Sequence, residues 1–577
     1  MKLERFDQIW CVDTEFTAPD GELPEPICLV AREFKTGKLV RLWADDLRKM
    51  TRAPFPTDRS ALFVAYSAEA EFGVFLELGW PLPERVLDLH KEFRCLTNGK
   101  VPTNESGLLN ALVYCGLDSM GAEEKTSMRE LAKRGGPYTE EERVALLDYC
   151  RSDADALVRL LRRMVAYLDC DGRVCLRGRH AKAVAWIERV STHLDRSLLE
   201  RLWETWPVLK LQLISKINRQ FGVYEGTVFK QKSFARLVKF KGWPWPLTPT
   251  GLLATDNETF RDMSKLHPEL EPLRQLRASL HQLRGQQLVI GKDDRNRVSL
   301  FSFGAVTGRN TPKASQFVFS PAVWLRGLIR PEPGFAMVYL DWSAEEFAIA
   351  AVLSGDSAMI ETYNSGDPYL YLAKQLGMAP EHATKHTHRP IREMFKTICL
   401  AINYGMGPST LAIRIGRSAA QARDILDRIH AMYPKFWKWK EGVHEHAVAN
   451  KCFYTVYGWK MRCSAATNPR TIGNFPAQGN GAELLRLACC LATEAGVRVA
   501  AAVHDALLIE FPIAKLDEHV GLTIAAMRQA SRYVLDGFEL RVSGHNQPIV
   551  YPQRFSDERG VTMWNTVMEL LDERQAA

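Results

Sequence analysis

The sequence predicts a multidomain chain in which an α/β unit is followed by a helical segment and then by a mixed α+β region. Three observations carry that prediction. The chain has 577 residues, more than a single hydrophobic core serves. Residues 1–172 alternate strand-like and helix-like stretches, whereas 181–284 read as mainly helical. From about residue 300 onward, strand and helix patterns mix again.

Composition narrows the class. Hydrophobic residues make up 46% and charged residues 25%, ordinary values for a soluble globular protein. The formal charge of +7 is modest but uneven. Between Arg201 and Thr250, nine Lys/Arg stand against only Glu204 and Glu225, which is either a solvated face or a surface for phosphates. The twelve cysteines include no C-x-x-C pair, so structural zinc and a disulfide framework are disfavoured and a reducing compartment fits. The opening MKLERFDQIWCVDTEF lacks an apolar signal core, and no run reaches the roughly 18 apolar residues of a membrane span. The expectation is a cytoplasmic protein with no membrane contact.

The elements follow in order. QIWCVDTEF reads as a strand, with Asp13 and Glu15 at i and i+2 on one face. ALFVAY is a second strand, and beyond it Glu69 and Glu71 precede an apolar helical run. TEEERVALLDYCRSDADALVRLLRRMVAYL is a long amphipathic helix that sets Tyr149 and Asp153 four residues apart on one face, with Asp155 turned elsewhere. Three such acids and a phenol can assemble a two-metal centre, the phenol orienting a water. The stretch KGWPWPLTPTGLLATDN interrupts the helical segment, because its Pro and Gly residues forbid a continuous helix.

Further on, MVYLDWSAEEF is strand-like up to Asp341, and Glu346 follows as the pattern turns helical. The helix 391–404 carries Arg392, Lys396, Leu400 and Tyr404 as one slowly drifting stripe, and Gly405 supplies its stop. Two cations followed by two bulky apolar groups repeat the polarity of a nucleoside triphosphate. AAVHDALLIEF reads as a hairpin with His504 and Asp505 at its tip. A lone strand-end aspartate is usually a turn former. Two of them together with a basic helix can hold a pair of Mg²⁺ ions and a triphosphate, the equipment for adding a nucleotide to a strand.

These segments carry a resemblance. VYLDWSAEEF, REMFKTICLAINYG and AAVHDALLIE resemble motifs A, B and C of the family A DNA polymerases. VTGRNTPKASQF resembles that family's Thr-Gly-Arg segment, and NPRTIGNFPAQGNGAELLRLA is similar to its Arg-x3-Asn-x3-Gln stretch at Arg470, Asn474 and Gln478. The N-terminal acids resemble a DEDD-class 3′–5′ exonuclease with a tyrosine. The resemblance implies an RNase H-like exonuclease domain over 1–172 and a right-hand polymerase beyond it. The hand would comprise a thumb over 181–299, palm over 300–365, fingers over 366–440 and palm again over 441–577.

It also implies roles. Asp341 and Asp505 would bind two Mg²⁺ ions, with Mn²⁺ able to substitute, and Lys396 would assist the leaving group. Arg392 and Lys396 would bind the β and γ phosphates, Leu400 would lie against the sugar, Tyr404 would stack near the templating base, and Glu346 would exclude a ribose 2′-hydroxyl. Arg309, Arg470, Asn474, Gln478 and His504 would contact primer and template. Asp13, Glu15, Glu71, Tyr149 and Asp153 would form the editing site, where Asp13, Glu15 and Asp153 would be the metal ligands. Partners would be primer-template DNA and dNTPs, with a replication helicase or processivity factor as a candidate. The chain opening directly on the exonuclease segment, with no room for a flap nuclease, resembles the compact phage enzymes; the expectation is a monomer acting in replication or repair.

Four departures from the family pattern stand out. Leu400 replaces an aromatic residue, Ala506 replaces a glutamate, and Ala344 and Ala348 replace a glutamine and an arginine. The middle exonuclease motif is altered as well, leaving Glu71 and Glu69 as competing ligands. Alternatives are a polymerase with a purely structural exonuclease domain, and a 3′ exonuclease with a non-catalytic nucleic-acid-binding half. A single-subunit RNA polymerase is disfavoured by Glu346.

Overall fold

Short apolar runs at the N-terminus condense into one five-stranded sheet of order β3-β2-β1-β4-β5. Its strands are β1 (Gln8–Thr17), β2 (Glu25–Glu33), β3 (Leu39–Trp43), β4 (Ala61–Ala65) and β5 (Val86–Asp88). The first three are antiparallel, while β4 and β5 run parallel to β1. The computed structural model describes residues 1–577 except 119–121, 170, 249, 284–287, 321 and 576–577. Helices α1 (Glu69–Glu77), α2 (Leu89–Thr97), α3 (Ala122–Arg134) and α4 (Glu140–Met164) surround the sheet. Thr139 and Glu142 close a capping box at the start of α4. The buried stripe of α4 from Leu146 through Cys150, Leu157 and Leu161 to Met164 has the spacing of one helical face, and the helix packs on β1 and β2.

Helix α5 (Asp171–Val190) is the spine of the molecule. It packs on α1 and β5 on one side and on the C-terminal half on the other. Gly178 permits the approach to β5, since a Cβ there would lie 2.2 Å from the carbonyl oxygen of Val86. The 26-residue α6 (Arg196–Phe221), α7 (Gln231–Lys241) and α8 (Asn257–Leu266) form a helical lobe. The Pro-rich stretch between α7 and α8 is pinned by Trp245, whose ring packs edge-on against Phe234 and Phe260 at centroid distances of 4.8 and 5.3 Å.

The second half is built on an antiparallel sheet of order β7-β8-β6-β9, with β10 also pairing β6. Here β6 is Phe335–Trp342, β7 Arg498–Val503, β8 Ala506–Pro512, β9 Val542–Ser543 and β10 Ile549–Val550. Beside it lie α9 (Glu345–Ser354), α10 (Arg389–Asn403), α11 (Pro408–Ile415) and the long α12 (Pro469–Glu494). The C-terminal helix α13 (Val561–Gln575) belongs to the segment expected as palm, yet it packs on α6 and its Val567 and Leu571 join the core of the helical lobe. Arg414 of α11 reaches Asp262 of α8 at 2.5 Å, so the rims of the two lobes touch.

The two halves are joined by α2. Glu92 and Arg177 of α5 form a two-pronged ion pair at 2.6 and 2.9 Å, each side chain about 4% exposed. Asn98, just past α2, donates at 2.8 Å to the carbonyls of both Val306 and Lys460. A buried pair of this kind is costly to break from one side only, because the survivor keeps its charge without a partner. Replacing Arg177 by Met is expected to lower unfolding free energy by about 3–5 kcal/mol, and adding Glu92→Leu to recover most of it. Denaturant titration of the single and double variants measures both.

Candidate active sites

The ladder between β6 and β8 pairs Asp341 with Ala506, which brings Asp505 beside Asp341 at the end of the sheet. Trp342 N–H donates to the Asp505 carbonyl at 3.3 Å, clamping the turn to the strand. That turn is held open by His504, whose φ is +57°, a left-handed conformation uncommon outside glycine. Burial, with the charge of Asp505 added to it, pushes the Asp341 carboxyl up to about 8, while Lys396 acts in the opposite sense. Asp505 is raised too, by burial.

A cleft of about 2350 Å³ opens beside these acids. Its wall includes Lys396 and Leu400 of α10, Tyr404 at that helix's C-cap, Arg309, His504, and Arg470, Asn474 and Gln478 of α12. Eight of the residues singled out in the sequence therefore share one surface. Arg392 is engaged elsewhere: its guanidinium binds Asp367 at 2.5 Å and Glu393 at 2.9 Å. Glu346 is a hub, accepting from Arg309 at 2.9 Å and from the Tyr404 hydroxyl at 3.2 Å. Gln478 in turn donates to Tyr404 at 3.3 Å. The loop carrying Arg309 is fixed from behind, with Trp459 Nε1 on the Val306 carbonyl at 2.9 Å and Arg486 on that of Gly308 at 3.0 Å.

The second acidic cluster lies on the N-terminal sheet. Asp13 and Glu15 project from β1, Glu71 from α1, and Tyr149 and Asp153 from α4. Burial raises Asp13, with the charges of Asp153 and Glu15 adding to it, and burial lifts Glu15 to about 8. Glu71 is raised by burial and then by Asp13, which puts it in the same cluster. Glu69, its competitor, is spent on Lys91 at 2.6 Å. Asp155 pairs with Arg32 at 2.7 Å, away from the cluster.

Sequence reasoning missed Lys125. Its ammonium pairs with Asp153 at 2.7 Å and lies 5.6 Å from the Tyr149 ring centre. Nothing in the polar run AEEKTSMRELAKR marks that lysine, because only the packing of α3 brings it to the acids. Among the described residues no three His, Cys, Asp or Glu side chains close into a metal cage. The donor chemistry nevertheless fits hard divalent cations, which take oxygen ligands. In the first site two carboxylates repel each other, and in the second Asp13 Oδ2 and Glu71 Oε2 are buried without partners.

Comparison with known proteins adds an independent finding. The model of the family described as DNA polymerase family A matches residues 239–545, more than half of the chain. DNA polymerase I of Aquifex aeolicus is 26% identical over 432 residues, covering 68% of this chain and 73% of that protein. The thermostable DNA polymerase I of Thermus thermophilus is 28% identical over 213 residues, covering 34% of this chain and only 25% of that protein. A DNA polymerase of Mycobacterium phage D29 is 25% identical over 186 residues, 32% of this chain and 30% of that protein. Among solved structures, the POL domain of Pol1 from M. smegmatis, in complex with DNA primer-template and dNTP, superposes with a TM-score of 0.70. It covers 92% of this chain and 94% of that one at 18% identity, a likeness of fold.

The raised carboxyl of Asp341 has a consequence for stability. An aspartate ionises near 3.8 when unhindered, whereas the folded site keeps its proton up to about 8. The stabilising contribution is therefore complete below pH 4 and lost as pH rises towards 8. In EDTA, Asp341→Asn should flatten the fall in Tm between pH 5 and pH 8.5 and melt above the parent at the upper end, as followed by scanning calorimetry.

Proposed function

We propose, for a chain that belongs to DNA polymerase family A, template-directed addition of dNTPs to a primer 3′ end, joined to 3′–5′ editing by its N-terminal domain. One observation carries the synthetic reading: two repelling carboxylates, Asp341 and Asp505, set side by side by strand register at the edge of a large cleft that Lys396 also faces. Asp341 and Asp505 would hold the divalent pair, Mg²⁺ or Mn²⁺, whose chemistry is to acidify the primer hydroxyl and steady the departing pyrophosphate.

Around that centre the chain's own residues divide the work. Lys396 is exposed towards the cleft and can neutralise the triphosphate and deliver a proton to the leaving group. Arg392 would join it after exchanging Asp367 for phosphate. Leu400 and Tyr404 offer an apolar floor for sugar and base. Glu346, fixed between Arg309 and Tyr404, presents an acid where a 2′-hydroxyl would intrude. Arg470, Asn474, Gln478, Arg309 and His504 line the track expected for primer and template. A helicase or processivity factor remains an expectation of the family resemblance, as does action as a monomer.

Editing is supported by the convergence of Asp13, Glu15, Glu71 and Asp153 on one spot with Tyr149 beside them, and by a sheet order compatible with an RNase H-like domain. The ion pair that holds Glu69 on Lys91, and the action of the Asp13 charge on Glu71, favour Glu71 as the fourth acid. A second reading, in which this domain is only a scaffold, draws on Lys125, whose ammonium stands on Asp153 where a divalent ion would bind.

Primer extension beside digestion of a mismatched single strand tests both. Asp505→Ala should abolish extension and spare digestion, while Glu71→Gln should do the reverse. Loss of both activities together in either variant would contradict two separate sites, and a parent chain that never digests would favour the scaffold. The basic face of α7 gives a further test. Replacing Lys232, Lys239 and Lys241 by Ala should weaken primer-template binding and flatten its salt dependence by up to about 0.9 in log–log slope for each phosphate no longer neutralised. Fluorescence anisotropy across a salt series reads that slope.

A further inference from the structure

Helix α10 carries Lys396 and Leu400 to the cleft and ends at Asn403, with Tyr404 as its C-cap. The Gly405 N–H donates to the Ile402 carbonyl at 3.1 Å and the Met406 N–H to that of Ala401 at 2.9 Å, while Gly405 holds a φ of +62°. The Tyr404 N–H takes the Leu400 carbonyl at 3.0 Å. Backbone donors thus answer three of the last four carbonyls of the helix, and among the described residues they leave that of Asn403.

A lysine takes it. The Lys440 ammonium donates to the Ile402 carbonyl at 2.5 Å and to the carbonyl of Asn403 as well. Lys440 is 8% exposed, and burial brings its ammonium down to about 8, with no carboxylate paired to it among the described residues. A buried cation without an acid is unfavourable, and a methionine would fill similar space without that penalty. What the charge meets instead is the negative pole of α10, where the helix dipole and the leftover carbonyl converge. Lys440 is itself firmly based. Its helix, Pro434–Asn450, packs on α9 and α12, and Asp356 accepts the N–H groups of Lys435 and Phe436 at 3.1 Å each.

The gripped carbonyls belong to the two residues just before Tyr404, whose hydroxyl donates to Glu346 at 3.2 Å and accepts from Gln478 at 3.3 Å. Lys440 also lines, with Glu346 and Asn474, a small cavity behind the cleft wall. We propose that Lys440 is a positioning residue for nucleotide selection: by holding the last carbonyls of α10 from behind, it sets Tyr404 against Glu346 and fixes the wall that faces the sugar. The inference rests on the polymerase reading of the cleft and deepens it. Lys440 acts through Tyr404 and Glu346 and does not itself touch the nucleotide.

The test compares full chains carrying Lys440→Met or Lys440→Gln with the parent in single-nucleotide primer extension, using a dNTP and the matching rNTP, alongside Tm. Both variants remove the charge; Met removes both hydrogen bonds, and the shorter Gln cannot keep the pair. Loss of a charged donor from buried carbonyls is expected to raise the dNTP KM about tenfold with kcat little changed. The rNTP's kcat/KM should stay near that of the parent, so the preference for dNTP falls about tenfold. A folded variant that keeps the parent's preference overturns the proposal, even where activity on both nucleotides drops together, because a merely structural lysine lowers both alike. Loss of the fold in both variants overturns it too. Glu346→Ala separates the levels. If that variant also keeps the parent's preference, the reading of Glu346 and Tyr404 as the sugar-facing pair falls; if it alone loses the preference, only the role of Lys440 falls.

Discussion

Like charges gathered in a protein need something else to hold them there, and here the holding is done by strand register. From Phe335 opposite Pro512 to Asp341 opposite Ala506, β6 and β8 form an unbroken antiparallel ladder. Ala336, Met337, Val338, Leu340, Leu507, Leu508 and Ile509 in that ladder are fully buried. Apolar burial of this kind is worth roughly 25 cal/mol per Å², so the register is fixed by many small gains before any carboxylate is considered. A slip of one residue would turn every side chain of β6 to the opposite face, Asp341 included. The repulsion between Asp341 and Asp505 is thus imposed by the core, and it is the property that makes the cleft attractive to cations.

The rest of the cleft is arranged around that fixed point. Arg309 approaches on a loop whose carbonyls are held by Trp459 and Arg486 from the second half of the chain and by Asn98 from the first. The loop that is expected to sense the primer is therefore gripped by both halves at once. Asn98 also donates to the Lys460 carbonyl, and Arg462 N–H donates back to Asn98 at 3.2 Å. A displacement of α2 would reach the Arg309 loop directly through the Asn98–Val306 hydrogen bond and indirectly through the two bonds to Lys460 and Arg462, beside Trp459.

Much of this was legible in the sequence, for identifiable reasons. Apolar runs bounded by one acid identified β6, β7 and β8, because strands buried on both faces read as near-continuous apolar stretches and turns must be polar. The stripe from Arg392 to Tyr404 was visible because helical periodicity is local. What depended on packing was not visible. Glu69 is engaged by Lys91, twenty-two residues away, and no local pattern encodes that pairing. Lys125 reaches Asp153 only because α3 docks on the sheet. The placement of α13 against α6 joins residues more than 300 positions apart, as the Arg201–Asp572 contact illustrates.

The two acidic centres meet the same electrostatic problem in different ways. At Asp341 and Asp505 the compensating cation is Lys396, which stands across an open cleft and makes no direct ion pair with either acid among the described residues, so a divalent ion can enter without displacing anything. At Asp153 the compensating cation is Lys125 in direct contact, inside a protein wall where its attraction is stronger than in water. Metal binding there would have to break an ion pair, whereas in the cleft it would relieve a repulsion. Under the proposed reading, a cation entering the cleft would displace no ion pair, while one entering the N-terminal cluster would have to displace Lys125 from Asp153. That asymmetry follows from where one helix docks, and not from any difference in the acids themselves.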